Sequence, residues 1–188
     1  MPAYRARFFP LAAAALLHTG GASGEELRLD PARTSIVFFV DGVGWPRTRG
    51  EFKVFDGRVS VDFERPAASS VTFRVTAKSL DVGSPAFSDY VRSDAFLDAA
   101  RFPEIVFSST SVEKRDERHA RVLGALTMRG QTRPMAIDVE VNRGPGGRGR
   151  TGFRATGVIH RLEFGMNAGF PVISNDISLI VSTEAAPP

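Results

Sequence analysis

From Gly124 to Val141 the chain reads GALTMRGQTRPMAIDVEV, with apolar residues at every second position. Leu126 and Met128 lead into a polar stretch, Arg129 to Arg133. Met135, Ile137, Val139 and Val141 follow it, and Thr127, Asp138 and Glu140 fall between. A strand points successive side chains to opposite faces, so this period predicts two half-buried strands joined by a turn. The pattern recurs along the chain. TSIVFFV, Thr34 to Val40, is a dense apolar run. GEFKVFDGRVSVDF, Gly50 to Phe63, predicts a hairpin around Asp56-Gly57, a dipeptide suited to a tight turn. In Ser69 to Lys78, Val71, Phe73, Val75 and Ala77 share one face, and Thr72, Arg74, Thr76 and Lys78 the other. Glu104 to Asp116 and Ala120 to Met128 predict another antiparallel pair. RPMAIDVEVNR and TGFRATGVIHR flank the loop GPGGRG, and DISLIVSTEA is the last strand. The total is roughly eight or nine strands.

Two places read as helical. Ser84-Pro85 has the form of an N-cap followed by proline at the first helical position. The segment after it lacks alternation and predicts one or two short helices between Ala86 and Ala100, with Pro103 closing the irregular region. A second short turn is expected at Leu162 to Met166. Many antiparallel strands with one apolar face each must wrap round on themselves or stack as two sheets, and a barrel removes the open edges. A barrel of about eight strands is wide enough to be filled by its own side chains or to hold one small ligand.

The first residues add a destination. Arg5 and Arg7 precede the apolar run FFPLAAAALL, Phe8 to Leu17, and the small residues of HTGGASG follow. That is the layout of a secretory signal peptide, with cleavage after Ala22, Ser23 or Gly24. The expected organisation is a leader over residues 1–24, one β-barrel domain over 25–184 and a tail over 185–188. The formal net charge of +3 includes the two leader arginines, so the rest is close to neutral and carries no nucleic-acid footprint. Gly144 to Arg150, GPGGRGR, is read as a hairpin loop rather than an RNA-binding segment.

Candidate chemistry is sparse. The chain has no cysteine, which excludes disulfides, thiol nucleophiles and Cys-ligated metal. Its three histidines, His18, His119 and His160, have no metal-ligand spacing. Ser108, Ser109 and Thr110 form a hydroxyl run with no histidine near in sequence to activate it. Asp94 and Asp98 read as a solvated helix face. What stands out is phenylalanine, 15 residues against two Tyr and one Trp. Phe needs no hydrogen-bond partner when buried, so it can fill a core or line a dry hollow. Composition alone favours the filled core. The strand glycines Gly124 and Gly157 lean the other way, since they leave room inside a wall or mark a bend.

VRSDAFLDAARFPEIVFSSTSV, Val91 to Val112, followed by GALTMRGQTRP, Gly124 to Pro134, resembles the YceI family of lipocalin-like, polyisoprenoid-binding proteins. GEFKVFDG, HRLEFGMN and NDISLIV extend the resemblance over about Leu27 to Glu184. It implies an all-β fold, an extended eight-stranded antiparallel lipocalin-like barrel with one or two short helices. It also implies an exported, periplasmic protein with a polyprenyl chain or isoprenoid quinone threaded through the barrel. Family members carry His or charged groups where this chain has Gly42 and the run Phe87, Ser88, Asp89 and Tyr90. Arg92 and Arg161 are then left to meet a head group, and a neutral quinone fits that depleted set at least as well as a pyrophosphate.

The expected function is a binding or carrier protein, not an enzyme, for a long isoprenoid lipid, with no cofactor beyond that lipid. Phe38, Val40, Val54, Phe73, Val75, Phe107, Leu126, Ile137 and Phe153 are the positions expected to face the ligand. Two other readings stay open. One is a lipid-modifying enzyme at the barrel mouth, centred on Asp89 or His160. The other is a filled barrel serving a membrane redox partner through transient contact with inner-membrane proteins. The number of copies, a dimer included, is left undecided.

Overall fold

The computed structural model describes residues 25–62, 64–143 and 151–186. The expected leader, the loop Gly144 to Arg150 and the last two residues lie outside the described residues. The elements in chain order are β1 (Glu25–Leu29), β2 (Ser35–Gly42), β3 (Trp45–Phe52), β4 (Phe55–Val61), β5 (Ser70–Thr76), β6 (Leu80–Asp81), α1 (Pro85–Arg92), β7 (Glu104–Lys114), β8 (His119–Met128), β9 (Gln131–Arg143), β10 (Thr151–His160) and β11 (Ile173–Ala186). Short 3₁₀ turns interrupt them, one of them at Arg161–Phe164 where the sequence predicts a turn. Ser84 caps α1 by position and Pro85 opens it, as expected, but the Ser84 side chain makes no capping hydrogen bond.

Every pairing is antiparallel, and the hydrogen-bonded order β1-β4-β5-β7-β8-β9-β10-β11 returns to its start because β1 pairs with both β4 and β11. β2 continues the line of β1 along β11, and β3 continues the line of β4 along β2. β6 extends β5 and pairs with the end of β3. Counted this way, the strands form an eight-stranded up-and-down barrel in which the first three strands are broken.

The breaks correct one sequence expectation. Asp56 and Gly57 do not form a hairpin turn; they lie inside β4, opposite Arg74 and Phe73 of β5. The chain passes Lys53 and Val54 as a bend between two halves of one strand, with Thr76 N–H donating to the Val54 carbonyl at 2.9 Å. Pairing on both sides overrides the local turn preference of the Asp-Gly dipeptide. The hairpin at Gly124 to Val141 forms as expected, but its turn is only Arg129-Gly130, with φ of 50° and 70°. Two residues in the left-handed region match the twist of the flanking strands, and Gly130 takes that region without steric cost.

The inner face follows the sequence period. Val122, Gly124, Leu126 and Met128 of β8 are all buried, and so are Met135 and Ile137 of β9. Burial of each large apolar side chain contributes about 1.5–3 kcal/mol, which makes this face the main stabiliser of the closed sheet. Two glycines fix where the rings lie. A Cβ on Gly50 would sit 2.1 Å from Cζ of Phe38, its partner across β2 and β3. A Cβ on Gly124 would sit 2.5 Å from Cζ of Phe107 and 2.5 Å from the Ser108 carbonyl oxygen. The rings therefore occupy the space a side chain would take on the neighbouring strand, against the wall instead of across the middle. The β7 backbone is held here as well, since Ser109 Oγ accepts from Val71 N–H at 2.9 Å beside a bulge at Ser109–Ser111.

Gly124→Ala is expected to lower unfolding stability by about 1–3 kcal/mol, because the backbone oxygen on one side cannot move away as a side chain would. Urea denaturation of the variant reads this, and an unchanged midpoint would show that the close approach is not needed.

Candidate functional site

The inward faces do not meet at the centre. They surround a cavity of about 730 Å³ lined by residues of every strand except β1 and β4, from Val71, Val139 and Val181 at one end to Trp45, Phe87 and Tyr90 at the other. Asp41, Thr48, Tyr90 and Arg161 are the lining residues with hydroxyl or charged side chains; nearly all the rest are apolar. A hollow with so few polar atoms offers water almost no partners, so apolar matter is what it suits.

At one end Val59 packs with Val61, Val71, Phe73 and Phe153 into a small apolar cluster. The other end is a mouth, bounded by the β2–β3 turn, by the loop from Arg161 to Val172, and by α1 with the turn behind it. The edge of the Tyr90 ring meets Phe96, with ring centres 5.3 Å apart.

Three arginines fasten the mouth, all through backbone carbonyls. Arg92 donates from Nε to the Leu80 carbonyl at 3.0 Å and again from its Nη2, tying α1 to β6, and pairs with Asp89 at 3.0 Å. Ser88, buried beneath the helix, accepts from Val82 N–H at 3.1 Å. Arg129 donates to the carbonyls of Phe96 and Gly165, both at 2.9 Å, and of Asp94 at 2.8 Å, joining the segment after α1 to the loop after β10. Arg161 is 1% exposed. It donates to the carbonyls of Ser174 (2.7 Å), Ala168 (2.9 Å), Ile173 (2.8 Å) and Met166. No carboxylate among the described residues pairs with it. Desolvation pulls its pKa below the ordinary guanidinium value, yet the carbonyl dipoles keep it charged.

Of the nine apolar positions expected to face a ligand, Phe38, Val40, Phe73, Val75, Phe107, Leu126 and Ile137 line the cavity. Val54 does not: it is 56% exposed. The bend at Lys53–Val54 shifts the strand phase, so Phe52 faces in before it and Val59 after it, and a one-residue slip turns Val54 to the outside. Phe153 packs in the Val59 cluster and does not line the cavity. Arg161 lines the cavity, whereas Arg92 is a fastener of α1 and is not on the wall.

Sequence reading missed the wall supplied by Trp45, Phe87, Phe96, Met128, Met166 and Ile173. Apolar residues scattered through the irregular segment 86–97 were its one available signal, since a solvated helix has no use for Phe87, Val91, Phe96 and Leu97 together. The other candidates sit outside the cavity. His119 is exposed and lies 2.9 Å from Asp116, whose carboxyl is held below its usual range first by the Arg118 backbone N–H and then by His119. His160 lies 2.8 Å from Asp176 at the end of β10. Ser109 and Thr110 bond to backbone groups. No group of three metal-ligating side chains occurs among the described residues.

The sequence profile of the YceI-like domain matches residues 27–185. A UPF0312 protein of Enterobacter sp. (strain 638) is 32% identical over 174 residues, which cover 90% of each chain. Among solved structures, BcnA of Burkholderia cenocepacia superposes with a TM-score of 0.78 at 22% identity, over 84% of this chain and 99% of that one. A polyisoprenoid binding domain from Saccharophagus degradans, implicated in plant cell wall breakdown, superposes with a TM-score of 0.69 at 15% identity, over 88% of this chain and 99% of that one.

Arg161→Met is expected to cost about 3–5 kcal/mol of unfolding stability, because it strands buried carbonyls that have no other donor. A change under about 1 kcal/mol in urea denaturation would mean that those carbonyls reach water instead.

Proposed function

The chain belongs to the YceI-like domain family, and on that premise we propose that it is a periplasmic carrier for one long isoprenoid lipid held in the barrel cavity. The observation that carries the reading is the apolar hollow of about 730 Å³, whose wall continues to the exposed Trp45, Phe87 and Tyr90 at its mouth. Its volume lies within the range of about 300–1,000 Å³ usual for a site holding a single small ligand. Each methylene moved from water into such a hollow contributes about 0.8 kcal/mol, so a prenyl tail binds tightly without a hydrogen bond, less the entropy of ordering it. The Saccharophagus protein, which has the same fold, is a polyisoprenoid binding domain, and this supports the same class of ligand here.

The head group sits toward the mouth in this reading, beside Arg161. Four of the five guanidinium N–H groups are already taken by backbone carbonyls of the loop and the start of β11. A forked grip on a phosphate would break those bonds. A single acceptor oxygen needs only the remaining N–H, so a neutral quinone-like head fits better than a pyrophosphate. The reading is one of binding rather than turnover. His119 and His160 stand outside the cavity, and Ser109 is engaged in holding β5.

Protein purified from its own cell envelope and extracted with organic solvent is expected to yield a prenyl lipid by mass spectrometry. Ala155→Phe, which places a ring in the hollow, is expected to leave the fold intact and lower the lipid recovered by about tenfold or more. Repeated extraction of the native protein with no prenyl lipid found would overturn the reading.

A further inference from the structure

The outer surface is not uniformly polar. Among the described residues, eight large apolar side chains stand exposed: Val43, Trp45, Val54, Phe87, Tyr90, Val158, Phe170 and Val172. Six of these, all but Val54 and Val158, surround the mouth of the cavity. Val43 N–H donates to the Val172 carbonyl at 2.9 Å, which joins the β2–β3 turn to the loop before β11 as one lip. Phe87 and Tyr90 of α1 form the facing lip. Val43 in the β2–β3 turn and Trp45 at the start of β3 are 76% and 74% exposed.

We propose that this collar docks the mouth of the barrel on a phospholipid bilayer, with Val43, Trp45 and Val172 entering the interfacial layer from one side and Phe87 and Tyr90 from the other. The inference rests on the carrier reading for its purpose: a prenyl lipid resides in a bilayer and has no soluble route to the cavity. Two features of the surface name the occupant. The first is continuity. Trp45, Phe87 and Tyr90 are exposed and also line the cavity, so an unbroken apolar path runs from the outer surface to the interior. A second copy of the chain or a rigid protein partner seated there would close that path. The second is charge. The charged side chains around the mouth are of both signs and interleaved: Arg47 pairs with Asp41, Arg92 with Asp89, Arg49 and Lys53 share Glu51, Asp176 stands beside the end of β10, and Arg129 and Arg161 are held by carbonyls. A balanced rim suits zwitterionic head groups, whose charges also cancel, and gives no electrostatic preference for an anionic membrane. Trp and Tyr are the residues whose apolar rings and polar tips suit that depth.

The chain carries a single tryptophan, and it is the rim residue Trp45. Its fluorescence is therefore a direct probe of the collar. The exported and processed protein is mixed with vesicles of phosphatidylcholine and phosphatidylethanolamine that contain no isoprenoid. Docking moves Trp45 emission to shorter wavelength, lets brominated acyl chains quench it, and carries the protein down with sedimented vesicles at low and high salt alike. V43S/V172S changes two exposed residues that do not line the cavity, so the fold and its urea midpoint stay at the native level. Its partitioning to vesicles falls by about tenfold or more. Emission and sedimentation that do not respond to vesicles would overturn the proposal. So would release by salt, or a V43S/V172S chain that loses a dimer while still binding vesicles, which would assign the collar to a second copy. Because the vesicles hold no prenyl lipid, a failure to dock leaves any co-purified prenyl lipid standing as evidence, and a failure to recover prenyl lipid leaves the docking result standing.

Discussion

A hollow walled by hydrocarbon is under pressure to collapse, because atoms facing a void lack the contacts that close packing would give them. What resists collapse here is the closed ring of main-chain hydrogen bonds. β1 holds β4 on one side and β11 on the other, so the girth is fixed by strand pairing and cannot shrink to suit the side chains. Within that fixed girth, the phenyl rings decide how much space is left. Gly50 and Gly124 give Phe38 and Phe107 a place against the neighbouring strand. With bulkier residues at those two positions the same rings would stand across the middle. A phenylalanine-rich interior and an open cavity are thus compatible through the residues opposite the rings.

The mouth is fastened on a different principle from the wall. Its segments are irregular and leave carbonyls that no strand neighbour can satisfy. Arg92, Arg129 and Arg161 supply the missing donors, each reaching at least one carbonyl remote in sequence. Several of the stretches that carry the family resemblance are therefore about this architecture. Arg129 and Gly130 form the β8–β9 turn, and Arg129 then bolts two rim segments together. A Cβ on Gly130 would meet the Phe102 ring at 2.7 Å, so the turn also seats the segment leading into β7.

How far the sequence could be read depended on whether local period and tertiary pairing agreed. β5, β8 and β9 alternate without interruption, and their inward residues Phe73, Val75, Leu126 and Ile137 line the cavity as the period predicts. Val54 fails for a physical reason: a bend inside a strand shifts its phase, and nothing in GEFKVFDG marks the bend except a turn signal placed three residues late. Phe153 packs with Val59 and not on the cavity wall, and depth along a barrel axis cannot be had from alternation. Arg92 and Arg161 have the same side-chain chemistry; only the carbonyls that each reaches separate a helix clamp from a residue of the cavity wall. The wall formed by Phe87 and Phe96 was hidden because a short helix with exposed polar residues reveals its propensity, not what it covers.

The use of carbonyls as the partners of Arg129 and Arg161 has a consequence for how the mouth meets acid. A guanidinium stays protonated and a peptide carbonyl stays neutral across the whole range in which carboxylates titrate. Acid strong enough to protonate even Glu51 and Asp62, which the Lys53 side chain and the Arg65 backbone N–H respectively hold below the usual carboxyl range, leaves the hold of Arg129 and Arg161 on the rim untouched. Those joints outlast the salt links around them.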